Sequence, residues 1–444
     1  DMGTDKDMPS DVAALAAWIR RAGGELHHCV GVSRCGSGGG RCVVAQCPLR
    51  ANETLVVVPE EVQLRPALPS QDPADLQSAS DATSAQTVPC PQLGAWLKAQ
   101  ESDGGAAGWH LDYHTFQLVL RLLQERWRGA SSTWSLYIPT IPADFPPVLW
   151  DEAVQRRCLA GTPGDLHIER RFTRRAVEQR LLRRCGAALV PKIDELLQNQ
   201  TVLNWAIHAV GSRSYESYSR KARAWEATSG KAVAVMVPFA DLFNDSPKPN
   251  AAWRWRQETD AFEVTASTDI SAGEEVMLSY GKKTNEQLLT HYGFVHRENP
   301  NDMAYVEFLE PEIAALGPQE ARLLLSLDDE LSAAMLPRGL GALRLYLDST
   351  EQVLDFGATG FAPAHSERKL LTSVRQSCLR SARQWAGEDS GVQASVDEAC
   401  RGYRQHFVAL ASSCVGFTSR ALAEVAALPG GGASSAAPSP GLLA

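Results

Sequence analysis

Apolar residues recur with two different periods along this chain of 444 residues. Between residues 91 and 230 they recur every three or four positions, for example at Phe116, Leu120 and Leu123, as on the buried face of a helix. From Val233 onward the spacing changes to two, which is the period of a strand with one buried face. The pattern predicts an α+β fold in which helices interrupt a β core.

Shorter patterns fill in the two ends of the chain. Apolar positions that stop at a Gly-Gly pair predict a lead-in helix within 1–24. Two apolar runs at 42–45 and 54–58, separated by polar turn residues, predict the two strands of a hairpin. After Phe308 the spacing predicts helices again, including one through Leu323-Leu324-Leu325.

Composition sets the boundaries between these parts. The stretch 65–90 is dominated by Pro, Ser, Ala, Asp and Gln, a composition that predicts mobility. The end of the chain, 428–444, is dominated by Gly, Ser, Ala and Pro, a composition that predicts a disordered tail. We therefore expect a lead-in helix (1–24), a β-core domain (25–296) interrupted by a mobile stretch (65–90) and a helical insertion (91–230), a helical domain (297–427) and a disordered tail (428–444).

Charge and hydropathy narrow the possible partners. The net charge is −9 and the basic residues are scattered, which argues against nucleic acid as a partner. No apolar run has the length of a membrane span, and the first twenty residues do not resemble a secretory signal. We expect an intracellular soluble monomer with no membrane partner; the sequence does not distinguish cytoplasm, nucleus and plastid.

The ten cysteines are too sparse in a chain of this length to indicate a disulfide-stapled fold. Ordinary reduced thiols are therefore expected. Cys29, Cys35, Cys42 and Cys47 lie close together, but their spacing does not include the C-x-x-C pair that is typical of zinc sites. The sequence predicts no metal.

The densest group of chemically interesting residues follows the helical block. It consists of VPFADLFNDS (237–246), DISAGEEVMLSYGKKTN (269–285) and HYGF (291–294). In order and spacing these segments resemble SET-domain protein methyltransferases of the Rubisco large-subunit lysine methyltransferase-like class. The resemblance extends over roughly residues 25 to 430. It implies a SET-type β core with an inserted helical subdomain and a C-terminal all-helical domain that binds the substrate.

The resemblance also implies an activity and the residues that carry it. The activity is methyl transfer from S-adenosylmethionine to a lysine of a non-histone protein, an in-line displacement that needs alignment and desolvation but no metal. Tyr280 matches the catalytic tyrosine, whose hydroxyl lies beside the transferring methyl. The implied cofactor-binding residues are Gly40, Arg41, Cys42, Arg213, Asn244, Asp245 and Tyr280. The implied substrate-binding residues are Tyr215, Asp241, Tyr292 and Phe294, of which the last two resemble the aromatic walls of the lysine channel.

Each main assignment has a structural alternative. Tyr280 fits a buried tyrosine at the end of a strand, and Arg213 fits a salt bridge on a helix surface. Asp241 and Asn244 fit turn or capping residues. Thr284-Asn285-Glu286-Gln287 fits a capping box, which is a structural role.

Two residues depart from the family pattern. Asp245 stands where a histidine commonly follows the asparagine, and Cys42 stands where a glycine is usual. An added negative charge at residue 245 can weaken or retune cofactor binding. Asp245 and Cys42 leave open a catalytically inactive SET-shaped binding or scaffold protein. A protein-histidine N-methyltransferase of the same fold, an activity known for a relative of this architecture, also remains open.

Overall fold

The computed structural model describes residues 8–35, 40–66, 113–190, 192–218, 233–297, 299–307, 322–326, 364–386 and 398–427. Apart from its first two residues, the predicted mobile stretch (65–90) lies outside the described residues, and so does the predicted tail (428–444). None of the described helices combines the length and the apolar character needed to cross a membrane.

Helices and strands alternate in blocks, as the periodicities predict. The described helices are α1 (Ser10–Arg21), α2 (Tyr113–Arg128), α3 (Glu152–Leu159), α4 (Ile168–Leu189), α5 (Asp194–Gln198), α6 (Gln200–Arg213), α7 (Asn285–Tyr292), α8 (Ala364–Ala386) and α9 (Glu398–Ala427). The described strands are β1 (Glu25–Leu26), β2 (Val30–Cys35), β3 (Gly40–Ala45), β4 (Thr54–Val58), β5 (Ser214–Ser217), β6 (Val233–Met236), β7 (Asn244–Asp245), β8 (Ala251–Arg256), β9 (Ala261–Ala266), β10 (Met277–Leu278), β11 (Met303–Glu307) and β12 (Arg322–Ser326).

Local sequence explains where several helices begin and end. The Asn199 side chain accepts a hydrogen bond from the Val202 amide and starts α6. Thr284 and Gln287 form the predicted capping box at the start of α7, which ends at Gly293 in a left-handed conformation. A Cβ at Gly24 would lie 2.6 Å from the Val57 carbonyl, so this glycine allows the chain after α1 to pass close to β4.

The chain forms two compact units whose boundaries differ from the predicted ones. The first comprises Asp1–Trp150 and Glu169–Gly281, and the second comprises Asp151–Ile168 and Lys282–Ala444. The predicted boundary at 296/297 therefore falls earlier, after Gly281. Part of the predicted insertion (91–230), including α3, belongs to the second unit, because the disulfide between Cys158 and Cys400 joins α3 to α9.

The first unit is built from small sheets around one hydrophobic core. A four-stranded antiparallel sheet has the order β1-β4-β9-β8, two further antiparallel pairs are β2-β3 and β5-β6, and β7 pairs with β10 in parallel. The buried face of α2, including Phe116, Leu120 and Leu123, belongs to the core that the strands share. The predicted α+β class is confirmed.

The predicted hairpin between 42–45 and 54–58 is wrong. The strand β3 pairs with β2, in the register Val30↔Ala45, rather than with β4. Both edges of β4 are occupied, one by β1 and the other by β9. Two neighbouring apolar runs thus belong to different sheets, because partners far along the chain satisfy the backbone groups of β4.

The second unit is not all-helical, contrary to the prediction for 297–427. The strands β11 and β12 pair in antiparallel fashion, in the register Met303↔Ser326 to Glu307↔Arg322. The run Leu323-Leu324-Leu325 therefore lies in a strand, because a short apolar run has no period that distinguishes a strand from a helix. The long helices α8 and α9 pack together in this unit and are joined by the disulfide between Cys378 and Cys414.

The prediction of reduced thiols is also wrong for the part of the chain that the structure describes. Disulfides join Cys29 to Cys47, Cys158 to Cys400 and Cys378 to Cys414, with Cα–Cα distances of 5.1, 5.1 and 6.3 Å. Cys42 and Cys185 are disulfide-bonded as well. The density of cysteines along the sequence did not reveal these pairs, because it does not show which distant cysteines meet. Cys158 and Cys400, for example, are 242 positions apart.

A buried ion pair lies in the second unit. His406 Nε2 lies 2.6 Å from Asp302 Oδ2, and both side chains are almost fully inaccessible to solvent. Burial alone would lower the pKa of His406, but the contacts with Asp302 and with the Arg297 carbonyl outweigh it and raise that pKa. The charged form of His406 is therefore favoured inside this unit.

A second buried charge lies in the four-stranded sheet. The Glu263 side chain in β9 is only 1% exposed and accepts hydrogen bonds from Arg254 at 2.6 Å, Arg256 at 2.6 Å and Thr54 at 2.9 Å. Burial would raise the pKa of Glu263, but these donors outweigh it and lower the pKa from 4.5 to about 2. The ionised carboxylate thus links β4, β9 and β8.

Glu263→Gln should lower the free energy of unfolding at neutral pH by about 2–3 kcal/mol, because charge-assisted hydrogen bonds are lost. Since folding depresses the pKa of this carboxyl, the stabilisation is fully present above pH 4.5 and is lost as the pH falls towards about 2. Urea denaturation across this range measures both effects. Glu61→Gln, at an exposed carboxylate, is the matched control. Equal stabilities of the two variants at pH 7 would contradict the role of Glu263.

Candidate active site

The predicted site forms around the short parallel pair β7-β10. Met277 lies opposite Asn244, and Leu278 lies opposite Asp245. The Ser246 amide donates to the Leu278 carbonyl at 2.9 Å and extends the pairing by one bond. Two stretches that are more than thirty positions apart are thereby placed side by side.

The pairing of β7 with β10 is only two residues long. Side-chain hydrogen bonds add to it and hold the two stretches together. Asn250 accepts a hydrogen bond from the Met277 amide at 2.8 Å and donates one to the Glu275 carbonyl at 2.9 Å. Asn244 donates to the Glu275 carboxylate at 2.7 Å. An amide side chain can donate and accept at once, which suits it to bridge two backbone segments.

Tyr280 is fixed against β7 at both ends of the residue. Its backbone amide donates to Asp245 Oδ1 at 2.7 Å, and its hydroxyl donates to the Phe243 carbonyl at 2.8 Å. These partners flank Asn244, so the structure brings together the tyrosine and the asparagine that the sequence singled out. Asp245, the departure from the family pattern, positions the tyrosine.

The start of β3, Gly40 to Cys42, reaches the same place through its backbone. Asn244 donates a second hydrogen bond to the Arg41 carbonyl at 3.1 Å. The Arg41 side chain is engaged elsewhere, with Asp11 and with the Thr140 carbonyl. Gly40 is exposed, and a Cβ there would meet nothing within 4 Å. Cys42 is buried and its sulfur is disulfide-bonded. At the start of β3, the backbone rather than a side chain therefore faces the site.

Arg213 and Asp241 form a buried ion pair. Arg213 Nη1 donates to the Asp241 carbonyl at 2.9 Å and to Asp241 Oδ2 at 3.2 Å. Tyr137, which lies 104 positions earlier, donates its hydroxyl to the same carboxylate oxygen at 2.9 Å. The Asp241 side chain is 1% exposed and the Arg213 side chain 18%. Arg213 therefore does not form the surface salt bridge that was its structural alternative. Its acidic partner is the buried Asp241.

The electrostatics of this cluster follow from its burial. Burial would lower the pKa of the Arg213 guanidinium, but the charge of Asp241, with smaller contributions from Tyr137 and Tyr280, raises it. Burial raises the pKa of the Asp241 carboxyl, although Arg213 and the Tyr137 hydroxyl oppose that shift. Burial, followed by the charge of Asp241, raises the pKa of Tyr137 well above its ordinary value, so its proton stays on the hydroxyl.

Two polar atoms of this pair retain unused hydrogen-bonding capacity. Arg213 Nε and Asp241 Oδ1 are buried and have no hydrogen-bond partner within the part of the chain that the structure describes. Because buried polar groups are almost always satisfied, these atoms indicate a polar ligand or ordered water. A free guanidinium donor beside a free carboxylate acceptor fits the zwitterionic methionine end of S-adenosylmethionine or the amine of a substrate.

Backbone strain marks the segment that leads to β7. Phe239 has φ +70° and ψ −41°, although it is a bulky residue and is fully buried. Such a conformation costs about 1–3 kcal/mol and persists only where surrounding structure imposes it. It turns the chain from β6 into the short helical turn that carries Asp241.

The remaining predicted residues lie in two different surroundings. Tyr215 donates its hydroxyl to the Ala240 carbonyl at 2.8 Å, and its ring packs on Phe262 with the centroids 4.7 Å apart. Tyr292 and Phe294 lie in the second unit with ring centroids 6.1 Å apart, and Lys283 Nζ lies 5.9 Å from the centre of the Tyr292 ring. Their role in binding substrate stays a prediction.

Sequence reasoning missed three contributors: Tyr137, Asn250 and Phe239. Tyr137 lies in the helical insertion and has no motif around it, so only its contact with Asp241 identifies it. Asn250 follows the 237–246 motif closely, and an asparagine between two strands was a usable signal. The positive φ of Phe239 leaves no trace in the sequence, because glycine or asparagine would be expected there.

Comparison with known proteins agrees with this geometry. The SET domain family matches residues 40–281, which contain β3 to β10 and the whole β7-β10 region. This match covers more than half of the chain. The chain therefore belongs to the SET domain family.

Curated relatives are similar at low identity. Bos taurus N-lysine methyltransferase SETD6 is 28% identical over 323 residues, which are 71% of this chain and 64% of that protein. Drosophila melanogaster actin-histidine N-methyltransferase is 25% identical over 221 residues, which are 47% of this chain and 41% of that protein. The matched region thus spans less than two thirds of the length of these relatives.

Solved structures share the fold. The structure of Rubisco LSMT bound to sinefungin and monomethyllysine is 17% identical, with a TM-score of 0.56 and coverage of 94% of this chain and 93% of that chain. At this identity the likeness concerns the fold alone. It confirms the predicted SET fold with an inserted helical subdomain.

Asp245→Ala should lower the free energy of unfolding by about 1.5–3 kcal/mol, because the Tyr280 amide loses a charged acceptor. Asp245→Asn keeps an acceptor oxygen and should recover about half of that loss. Urea denaturation of the two variants, compared with the unchanged chain, measures the difference. An equal loss in both variants would show that the hydrogen bond to the Tyr280 amide is not what Asp245 contributes.

Proposed function

We propose that this protein is an S-adenosylmethionine-dependent protein-lysine N-methyltransferase that acts on a non-histone protein. The observation that carries the proposal is the anchoring of Tyr280, through both its amide and its hydroxyl, against the segment that contains Asn244. The family match supports it, as do relatives named N-lysine methyltransferases and neighbouring structures of Rubisco LSMT bound to AdoMet or to lysine and AdoHcy.

The cofactor would bind where the start of β3 meets β7. Bound S-adenosylmethionine supplies an electrophilic methyl group, and the residues of this chain hold and align what reacts. Gly40 leaves room for close approach, and Asn244 keeps the backbone at Arg41 in place. The unused Arg213 Nε donor suits the carboxylate of the methionine end.

The target amine must reach the methyl group without its proton. An ordinary lysine has a pKa of about 10.4, and a desolvated position near a positive charge lowers it. The hydroxyl proton of Tyr280 is committed to the Phe243 carbonyl, so the phenol oxygen presents its lone pairs to an N–H of the incoming amine. Tyr280 thereby aligns the nitrogen for in-line attack.

Asp241 offers a second contact to the amine. Arg213 and Tyr137 both donate to Oδ2 of this carboxylate, and Oδ1 has no partner among the described residues. Because Arg213 balances the charge of Asp241, the carboxylate can accept a hydrogen bond from an ammonium without holding it as tightly as an isolated buried charge would. This arrangement favours binding followed by loss of the proton.

The proposal extends to the partner and the compartment. The protein substrate would bind through the helices α8 and α9 of the second unit, and the enzyme would act as a monomer. Because disulfides persist in oxidising environments, the oxidised cysteines favour a compartment that maintains them over a strongly reducing one. Mass spectrometry of the native protein under non-reducing conditions tests the latter point.

The direct test is to incubate the purified protein with a lysate and methyl-labelled S-adenosylmethionine, and to map the labelled residue by mass spectrometry. Methyl-lysine in a non-histone protein is the expected result. Methyl-histidine would establish the activity for which the Drosophila relative is named. No labelled protein, together with no S-adenosylmethionine binding by calorimetry, would indicate a scaffold.

Tyr280→Phe should reduce turnover by about 10²-fold or more while the affinity for S-adenosylmethionine changes little, because the lost oxygen aligns the amine rather than the cofactor. Single-turnover kinetics and calorimetry measure the two quantities separately. Tyr218→Phe removes a hydroxyl that meets the exposed Glu216 carboxylate and is the control. An active Tyr280→Phe variant would remove the catalytic assignment.

Arg213→Ala should weaken S-adenosylmethionine binding by about 2–3 kcal/mol if the guanidinium pairs with the cofactor carboxylate. This change also leaves Asp241 as an unpaired buried charge, which is itself destabilising. The double variant Arg213→Ala/Asp241→Asn removes that charge and separates the two effects. Binding by the double variant should remain weak, and restored binding would reassign Arg213 to supporting Asp241.

A further inference from the structure

A cluster of nitrogen and sulfur donors lies outside the proposed catalytic site, at the open end of the β2-β3 hairpin. His27, His28 and Cys29 connect β1 to β2, and Cys47 follows β3. The register Val30↔Ala45 and a hydrogen bond of 2.7 Å from the Gln46 amide to the Cys29 carbonyl bring the two ends together. The hairpin thus brings Cys47, whose sulfur is bonded to Cys29, next to the segment that carries the two histidines.

The distances within this cluster suit a common metal ion. One donor atom from each of His27, His28 and Cys29 lies within 4.8 Å of the other two, and Cys29 Sγ is 3.4 Å from His28 Nε2. Zinc binds sulfur at about 2.3 Å and nitrogen at about 2.0–2.1 Å, so a tetrahedral site separates its donors by about 3.3–3.8 Å. Binding would therefore draw together donor atoms that now lie within 4.8 Å of one another.

The fourth donor is Cys47, whose sulfur is bonded to Cys29. The Cα atoms of the two cysteines are 5.1 Å apart, so both sulfurs remain at this point whether they are bonded to each other or not. The set is then Cys₂His₂, a usual composition for structural zinc. The cysteine spacing in the sequence did not indicate this set of ligands, because two of the four are histidines.

Solvent access distinguishes this disulfide from the Cys158–Cys400 and Cys378–Cys414 pairs. Cys158, Cys400 and Cys378 are at most 1% exposed, and Cys414 is 7% exposed. Cys47 is partly exposed and His28 is exposed. Thiol–disulfide exchange requires that a thiolate reach one sulfur atom, so a reductant reaches the pair at Cys47 most readily.

We propose that the reduced form of this cluster binds one Zn²⁺ through His27, His28, Cys29 and Cys47. Oxidation by a small disulfide, which takes up two electrons and leaves as two thiolates, forms the Cys29–Cys47 disulfide and releases the ion. A dithiol reductant transfers two electrons and two protons to the disulfide and becomes a disulfide itself. Zinc then displaces the two thiol protons, so one Zn²⁺ is bound and two protons are released. The proposal does not rest on the methyltransferase function, because none of the four residues belongs to the proposed catalytic site.

The test compares zinc binding by the full chain before and after treatment with a mild dithiol. The oxidised protein, stripped with a chelator, should bind no zinc, and the reduced protein should bind one equivalent, as measured by metal analysis after gel filtration. Cobalt(II) in place of zinc should give the visible absorption of a tetrahedral thiolate site. Bound zinc should protect Cys29 and Cys47, and not Cys378 and Cys414, from alkylation as mapped by mass spectrometry.

Variants connect the signal to this cluster. Changes around a metal site that leave its ligands in place cost about 10- to 100-fold in affinity, so His28→Ala and Cys47→Ser, which remove ligands, should each weaken binding by at least about 100-fold. His167→Ala, at an exposed histidine elsewhere, should bind as the unchanged chain does. Because His28 is exposed, its replacement leaves the core intact and circular dichroism should not change.

Two results would overturn the proposal. One is a reduced protein that binds no stoichiometric zinc while its circular dichroism remains that of the folded chain. The other is zinc binding that His28→Ala and Cys47→Ser leave unchanged, or zinc that protects other cysteines instead of Cys29 and Cys47. In either case the pair would be an ordinary disulfide beside two histidines.

Discussion

The parallel contact between Asn244–Asp245 and Met277–Leu278 is the constraint on which the site depends. Two paired residues contribute too few backbone hydrogen bonds to hold two distant segments together. The Asn250 and Asn244 side chains supply further hydrogen bonds across the gap, and the Tyr280 amide donates to Asp245. The position of Tyr280 is thus set by polar side chains rather than by a continuous sheet.

Much of the fold was predictable because its signals are local. Helix α2 shows an apolar stripe, α7 begins with a capping box, and β9 shows strand periodicity, so each was predictable from a short window. Pairing partners were not, because β4 could have joined β3 as readily as β9 on sequence pattern alone. The choice is made by core packing and by which strand edges remain open, and neither is visible in a short window.

The candidate site divides in the same way. Tyr280 and Asn244 could be singled out because they lie in motifs with a recognisable order, and Arg213 through the family resemblance; their roles stay predictions. Tyr137 was not, because its only signal is a hydrogen bond to a carboxylate 104 positions away. The disulfides were missed for a related reason. A high cysteine density indicates a small fold that depends on disulfides, but a low density does not show which distant cysteines the core of a larger protein brings within bonding distance.

The side chains around Tyr280 fall into two groups, and the difference supports a ligand-binding site over a merely structural cluster. Arg41 and Tyr215 have donors that are engaged with protein groups, and Asp245 accepts from the Tyr280 amide. Arg213 and Asp241 each keep one buried polar atom without a partner in the described part of the chain, although they already contact each other. A purely structural ion pair gains nothing from such atoms, since each unsatisfied buried group costs about 1–3 kcal/mol. A site that must accept a polar molecule needs such atoms.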